Sequence, residues 1–209
     1  MKKIGILFLS LFITTITFSQ QSEKAKNLLD EVSTKMGAYN NMFIGFSQTL
    51  SNEDANVEAL TLDITSANGI GSIGNDIDTD VETLTLVNTS GDIIIDEKDS
   101  LTLDSIIQNV GNVAISNKQD SITLAQDMSV SDGFVTIQVA NDFIQNANID
   151  LTTSTKTVDI KASNNIVMNS SSQTQTNDGN IRYEANDSII LGKLDANNGD
   201  VSLLANSVL

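Results

Sequence analysis

From residue 91 onward, apolar residues fall at alternate positions in short runs, and the runs recur. Candidate repeats begin at Gly91, Gly111, Gly133, Lys156, Gly179 and Gly199, at separations of 20, 22, 23, 23 and 20 residues. Written one above another, segments such as "GDIIIDEKDSLTLDS", "GNVAISNKQDSITLA" and "GNIRYEANDSIILGK" form columns. Ile93, Val113, Val135, Val158, Ile181 and Val201 share the third position. Ile95, Ile115, Ile137, Ile160, Tyr183 and Leu203 share the fifth. An Asx column follows, made of Asp99, Asp120, Asp142, Asn165, Asp187 and Asn206. Two residues beyond it come Leu101, Ile122, Ile144, Val167, Ile189 and Val208. A third apolar patch, Ile106, Met128, Ile149 and Leu194, is present in most repeats.

Alternation puts one face of each strand inward. Asn and Asp mark a turn, because their side chains bond nearby backbone and tolerate left-handed conformations. Glycine marks a second turn for the steric reason. Two or three short strands in 20–23 residues make one coil of a solenoid. Each coil pairs with its neighbours about 4.8 Å away, so like residues stack into ladders. The pattern predicts an all-β parallel β-helix of about five to six coils. An antiparallel sandwich also has short strands and turns, but it needs no column-by-column repeat. The leucine-rich and calcium-binding nonapeptide patterns are absent.

Upstream the periodicity changes. Ala25, Leu28, Leu29, Val32 and Met36 form a helical stripe, with Ser22 as N-cap and Gly37 ending it. Met42, Ile44 and Phe46 then alternate as a strand. The first residues, Met1-Lys2-Lys3 followed by an apolar run from Ile4 to Phe18, have the proportions of a secretory signal peptide. That run is shorter than the roughly 20 apolar residues a membrane-spanning helix needs. The expected organisation is a signal peptide over 1–20, a helix and strand over 21–57, and a repeat region over 58–209 that breaks off within a coil.

Two resemblances attach to these segments. Residues 22–52, "SEKAKNLLDEVSTKMGAYNNMFIGFSQTLSN", resemble the start of outer-membrane lipoprotein carrier proteins of the LolA type. That likeness implies a periplasmic carrier of lipoprotein acyl chains, and it stops near Val57. The stretch "ANGIGS…IDTDVETLTLVNTSGDI" resembles repeats of filamentous-haemagglutinin-type exoproteins. This one extends over residues 60–209 and implies a right-handed parallel β-helix, displayed on or shed from the cell surface as an adhesin. Two such different halves, joined near residue 57 without a linker, suggest a fused or fragmentary reading frame.

Composition narrows the chemistry. The chain has no Cys and no His, which removes thiol nucleophiles, disulfides and the commonest general base. A net charge of −16 argues against nucleic acid and against anionic lipid as partners. Hydrophobic residues make up 40% but aromatics only 4%, so the core is built from Val, Ile and Leu. Asp76, Asp78 and Asp80 form a D-x-D-x-D triplet whose carboxylates are candidate calcium ligands. The Gly and Glu of an EF-hand loop are missing, with Val81 and Val87 in their places. Paired carboxylates of a carbohydrate-active β-helix enzyme are a further alternative. Arg182 is the only Arg, however, and one Asx per coil at a turn reads as structure. Thr152-Thr153-Ser154-Thr155 has the composition of an ice- or sugar-binding face but does not recur as a regular column. The expectation is a non-enzymatic, exported surface segment with cell-surface glycan or protein as its partner.

Overall fold

The computed structural model describes residues 42–50 and 57–208, with side chains over 61–207. The expected signal peptide and amphipathic helix lie outside the described residues. Every regular element among the described residues is a strand. The first six are β1 (Met42–Leu50), β2 (Val57–Ser66), β3 (Ile77–Thr79), β4 (Thr83–Ser90), β5 (Ile93–Glu97) and β6 (Leu101–Val110). The strand expected at Met42, Ile44 and Phe46 is β1, and it pairs antiparallel with β2. From β2 onward every pairing between strands is parallel, as the stacked columns require.

Three strand ladders make up the coils. The first is a seven-stranded sheet of β3, β5, β7 (Val113–Asn117), β10 (Val135–Val139), β13 (Val158–Ala162), β16 (Ile181–Ala185) and β19 (Val201–Leu204). A second ladder joins β8 (Ile122–Leu124), β11 (Phe143–Gln145), β14 (Ile166–Met168), β17 (Ser188–Ile190) and β20 (Ser207–Val208). The third joins β9 (Met128–Asp132), β12 (Ile149–Ser154), β15 (Gln173–Asn177) and β18 (Lys193–Asp195). The long strand β6 unites the last two, since Leu101 pairs with Ile122 in β8 and Ile106 with Met128 in β9. The chain is thus a parallel β-solenoid of about seven turns, one per strand of the first sheet. This exceeds the expected five to six because residues 61–91 already coil, with β2 stacked on β4 and β3 on β5.

The third and fifth columns read from the sequence are the stacked residues of the first sheet. Ile93, Val113, Val135, Val158, Ile181 and Val201 follow one another in register, as do Ile95, Ile115, Ile137, Ile160, Tyr183 and Leu203. All but Val201 and Leu203 of the last coil are buried. Each buried Val or Ile contributes about 1.5–3 kcal/mol relative to exposure. The third patch also stacks as expected, and Thr174 fills the coil that offers no aliphatic residue there.

The second ladder departs from the expected register in two coils. Phe143 and Ile166 stack on Ile122 and Ile189, and Ile144 and Val167 face outward. The turn column shifts with them: Asp187 N–H donates to Asn164 O, and Asn164 N–H to Asn141 O. The cause is local degeneracy. Asn141-Asp142 and Asn164-Asn165 each offer two adjacent turn residues, and with a side-chain period of two a slip by one exchanges the faces.

Unequal coil lengths also have a place in the structure. The chain takes two residues more from Ile149 to Val158 than from Met128 to Val135 or from Thr174 to Ile181. The excess sits in β12, where pairing with β15 breaks between Asp150 and Ser154. In the next coil the excess lies at the Asn169–Ser172 turn, closed by Ser172 N–H to Asn169 O at 2.9 Å.

Polar side chains inside the coils serve the turns. Asn117 Nδ2 donates to the carbonyls of Asp99, Gln119 and Asp120, and its Oδ1 accepts from Ala140 N–H. Gln108 Nε2 donates to Gly91 O and Val110 O. Tyr183 stands where the column otherwise has Ile or Leu, and its phenol is fully buried. Its OH lies 2.6 Å from Thr174 Oγ1 and donates to Gln145 Oε1 at 2.7 Å. Burial drives the phenol pKa well above its ordinary value.

Candidate binding groove on the outer face of the first sheet

Outward residues of the seven-stranded sheet form two ladders of their own. One runs Ile94, Ala114, Thr136, Asp159, Arg182, Ser202. The other runs Asp78, Asp96, Ser116, Gln138, Lys161, Glu184. Small residues in the middle coils leave two contiguous surface depressions of about 180 and 230 Å³ that share Thr136 and Gln138. The first reaches Asp76 across Ile94, Ala114 and Ser116. The second reaches Asp159, Lys161 and Arg182. The groove therefore runs along the stacking direction, acidic at one end, hydroxyl- and amide-lined in the middle, and mixed in charge at the other.

The acidic end divides the triplet singled out in the sequence. Asp76 and Asp78 gather with Asp96 of the next coil, whereas Asp80 gathers with Glu97 and Asp99. Within each group the carboxylate oxygens lie within 4.8 Å of one another. Lysines from later positions sit among them. Lys118 Nζ lies 2.9 Å from Asp96 and 3.4 Å from Asp78, and Lys98 Nζ lies 2.5 Å from Asp80. The hydrogen bond to Asp96 raises the Lys118 pKa, and the one to Asp80 raises that of Lys98. Glu97 itself is buried, accepting from Thr79 Oγ1 at 2.5 Å and from the Val81 and Lys98 N–H groups. The lysines already offset part of the charge that calcium would neutralise.

At the mixed end, Arg182 pairs with Asp159 at 3.1 Å and with Glu184, and Lys161 pairs with Glu184 at 2.7 Å. The Lys161 hydrogen bond, with that of Arg182, holds the Glu184 pKa below its ordinary range. Two cations and two anions neutralise one another here, on a chain whose net charge is −16. This balanced quartet is a structural tie between coils and a polar wall for the groove.

The columns of the sequence do not reveal a third outward ladder, on the second face. Thr61, Thr83, Thr102, Thr123, Ile144, Val167 and Ile190 stack in single file along the second face. Its signal is the recurring Thr-Leu pair at 61–62, 83–84, 102–103 and 123–124. The Thr152–Thr155 stretch instead forms the irregular part of one coil and its turn.

Compared with known protein families, curated proteins and solved structures, the chain matches none. No helix among the described residues is long and apolar enough to cross a membrane. The fold is a β-solenoid built from an internal repeat, and the reading of its function rests on its own surfaces.

Proposed function

We propose that the chain is an exported, non-enzymatic β-solenoid segment that acts as an adhesin-like surface protein. The observation that carries this reading is the unbroken parallel stack of about seven turns, which presents outward a run of four stacked threonines on one face and mixed ladders of small and charged residues on another. A rigid stack of this kind places repeated binding groups at fixed spacing on a solvent-facing surface. The signal-peptide pattern of residues 1–20 supports export, and the absence of His and Cys supports a binding role. The right-handed sense implied by the haemagglutinin-type resemblance agrees with the hand that about 98% of parallel crossover connections take.

The test uses the full mature chain, fluorescently labelled, on immobilised bacterial and epithelial cells. Saturable binding that unlabelled protein competes away is the expected result. A protein that ignores cells yet displaces a fluorescent fatty acid from a lipid-binding assay would favour the carrier reading of residues 22–52 instead.

A further inference from the structure

Asparagine in an exported chain can accept a glycan where it stands in Asn-x-Ser/Thr with x other than Pro. The chain holds three such triplets, Asn88-Thr89-Ser90, Asn169-Ser170-Ser171 and Asn186-Asp187-Ser188. In a chain this rich in Asn and Ser the triplet alone does not choose among them. Their places in the solenoid do.

Asn88 lies in β4 and is 1% exposed. Its Oδ1 accepts from Gly69 N–H at 3.0 Å, and its Nδ2 donates to Gly91 O at 2.8 Å. Both halves of this amide hold a turn, and a packed coil has no room for a glycan. Asn186 is exposed at the corner after β16. The hydroxyl of its triplet is committed elsewhere, since Ser188 Oγ donates to Asn165 Oδ1 of the preceding coil at 2.6 Å.

Asn169 differs from both. Asn169, Ser170 and Ser171 are three consecutive exposed residues. They occupy a turn that this coil lengthens: Gln145 to Ile149 takes four steps along the chain, and the stacked path from Met168 to Thr174 takes six. The backbone anchors the turn by itself, with Asn169 N–H donating to Gln145 O at 2.8 Å and Asn169 O accepting from Ser172 N–H at 2.9 Å. The Asn169 side chain is thereby released from stacking. Its Oδ1 accepts from Ser171 Oγ at 2.9 Å and from Ser171 N–H at 3.0 Å. Its Nδ2 donates to no acceptor among the described residues. Hydrogen bonds to Oδ1 draw electron density from an amide and make its N–H protons easier to lose. Only this triplet thus combines an open position, a free amide nitrogen and its own hydroxyl on the amide oxygen.

We infer that Asn169 is the acceptor of an N-linked glycan, supplied by a lipid diphosphate-linked oligosaccharide in the compartment to which the chain is exported. The inference rests on the export reading of residues 1–20. In the transfer, the bond from Nδ2 to the anomeric carbon forms as the bond from that carbon to the diphosphate oxygen breaks. The lipid diphosphate leaves with the electron pair, and the amide gives one proton to a base of the transferase. The turn lies between β14 of the second ladder and β15 of the third, so a glycan there stands clear of the groove on the first sheet. It adds a bulky, hydrated group to that corner.

The experiment secretes the full chain, with its own first twenty residues, from a host whose export pathway carries an oligosaccharyltransferase. A parallel version carries the host's own leader in front of residue 21. Enzymatic release of N-glycans converts each modified Asn to Asp and marks it for peptide mass spectrometry of the folded, secreted protein. The glycan is expected on Asn169 in most molecules, on Asn186 in few and on Asn88 in none. Asn169→Gln and Ser171→Ala should each abolish the glycan at 169, and Ser171→Thr should keep it. All three variants should melt within about 2 °C of the deglycosylated wild type, as exposed substitutions do. A secreted, folded protein with Asn169 unmodified overturns the inference, and so does a glycan on Asn88 or one that favours Asn186. Secretion and Asn169 modification of the host-leader version alone would defeat the export reading and leave the acceptor assignment standing.

Discussion

The chain turns into the first sheet through two differently built corners. At Gly133 the stack is tight: an added Cβ would lie 1.8 Å from the Gly111 carbonyl oxygen of the preceding coil. At Lys156, one coil further on, a full side chain occupies the same turn position. The approach there is longer by two residues, and Thr155 adopts a left-handed backbone with φ of 68°. The pair shows that glycine is demanded by the path of the backbone between coils and not by the turn as such. A longer path relaxes the demand and frees the position for a charged side chain.

The strongest way to break the comparison is to put the same side chain on both corners. Gly133→Ala is expected to cost about 3 kcal/mol, because the clash is with backbone and cannot be relieved by a rotamer change. Thermal or urea unfolding followed by circular dichroism measures it. A loss below about 1 kcal/mol would mean the corner has slack. Deleting Thr152 and Thr153 should make Lys156 behave like a misplaced residue at a tight corner. We expect a marked fall in melting temperature for the deletion alone and recovery of much of it when Lys156→Gly is added, read by the same unfolding curves.

The polar cluster beneath the irregular coils comes next in size. Tyr183→Phe removes the hydroxyl that joins Thr174 to Gln145. It leaves the buried Gln145 oxygen only the longer 3.3 Å bond from Thr174 Oγ1, at a cost of about 1 kcal/mol. A double substitution with Gln145→Leu should cost less than the sum of the single ones, which a double-mutant cycle on unfolding free energies will show.

The smallest effect belongs to the exposed ion pairs. The Glu184 pKa is lowered by Lys161 and Arg182, so its contribution is present above the pKa of an unfolded glutamate, roughly 4.3, and fades as pH falls through the lower folded value. The melting temperature should therefore dip slightly more between pH 5 and pH 3 in wild type than in Glu184→Gln, and less so at high salt.

Much of this architecture is legible in the sequence. Ladders that recur without ambiguity, such as Ile93 to Val201 and Ile95 to Leu203, announce both strand and stacking partner. The register is misread by one position where two turn-forming residues adjoin, at Asn141-Asp142 and Asn164-Asn165, since local chemistry cannot choose between them. The calcium triplet shows a different limit. Asp76, Asp78 and Asp80 are close in sequence, but strand alternation and stacking hand Asp78 to Asp96, while Asp80 joins Glu97 and Asp99. Lys98 and Lys118 are 18 and 40 residues from Asp80 and Asp78, the triplet members they pair with, so only the coil period brings them near. The Tyr183–Thr174–Gln145 contact joins different coils and different ladders, so no column could reveal it.

Parallel in-register stacking underlies every surface described above, and the corrected second ladder tests it most directly. The chain has no native cysteine, so introduced thiols have no competitors. Thr123 and Ile144 are adjacent outward residues on neighbouring coils, about 4.8 Å apart, within the range a disulfide spans. Thr123→Cys/Ile144→Cys should oxidise readily to an intramolecular disulfide in the folded protein. Thr123→Cys/Val167→Cys, two coils apart, should not. Efficient cross-linking of the second pair, or failure of the first in a well-folded protein, would contradict the solenoid.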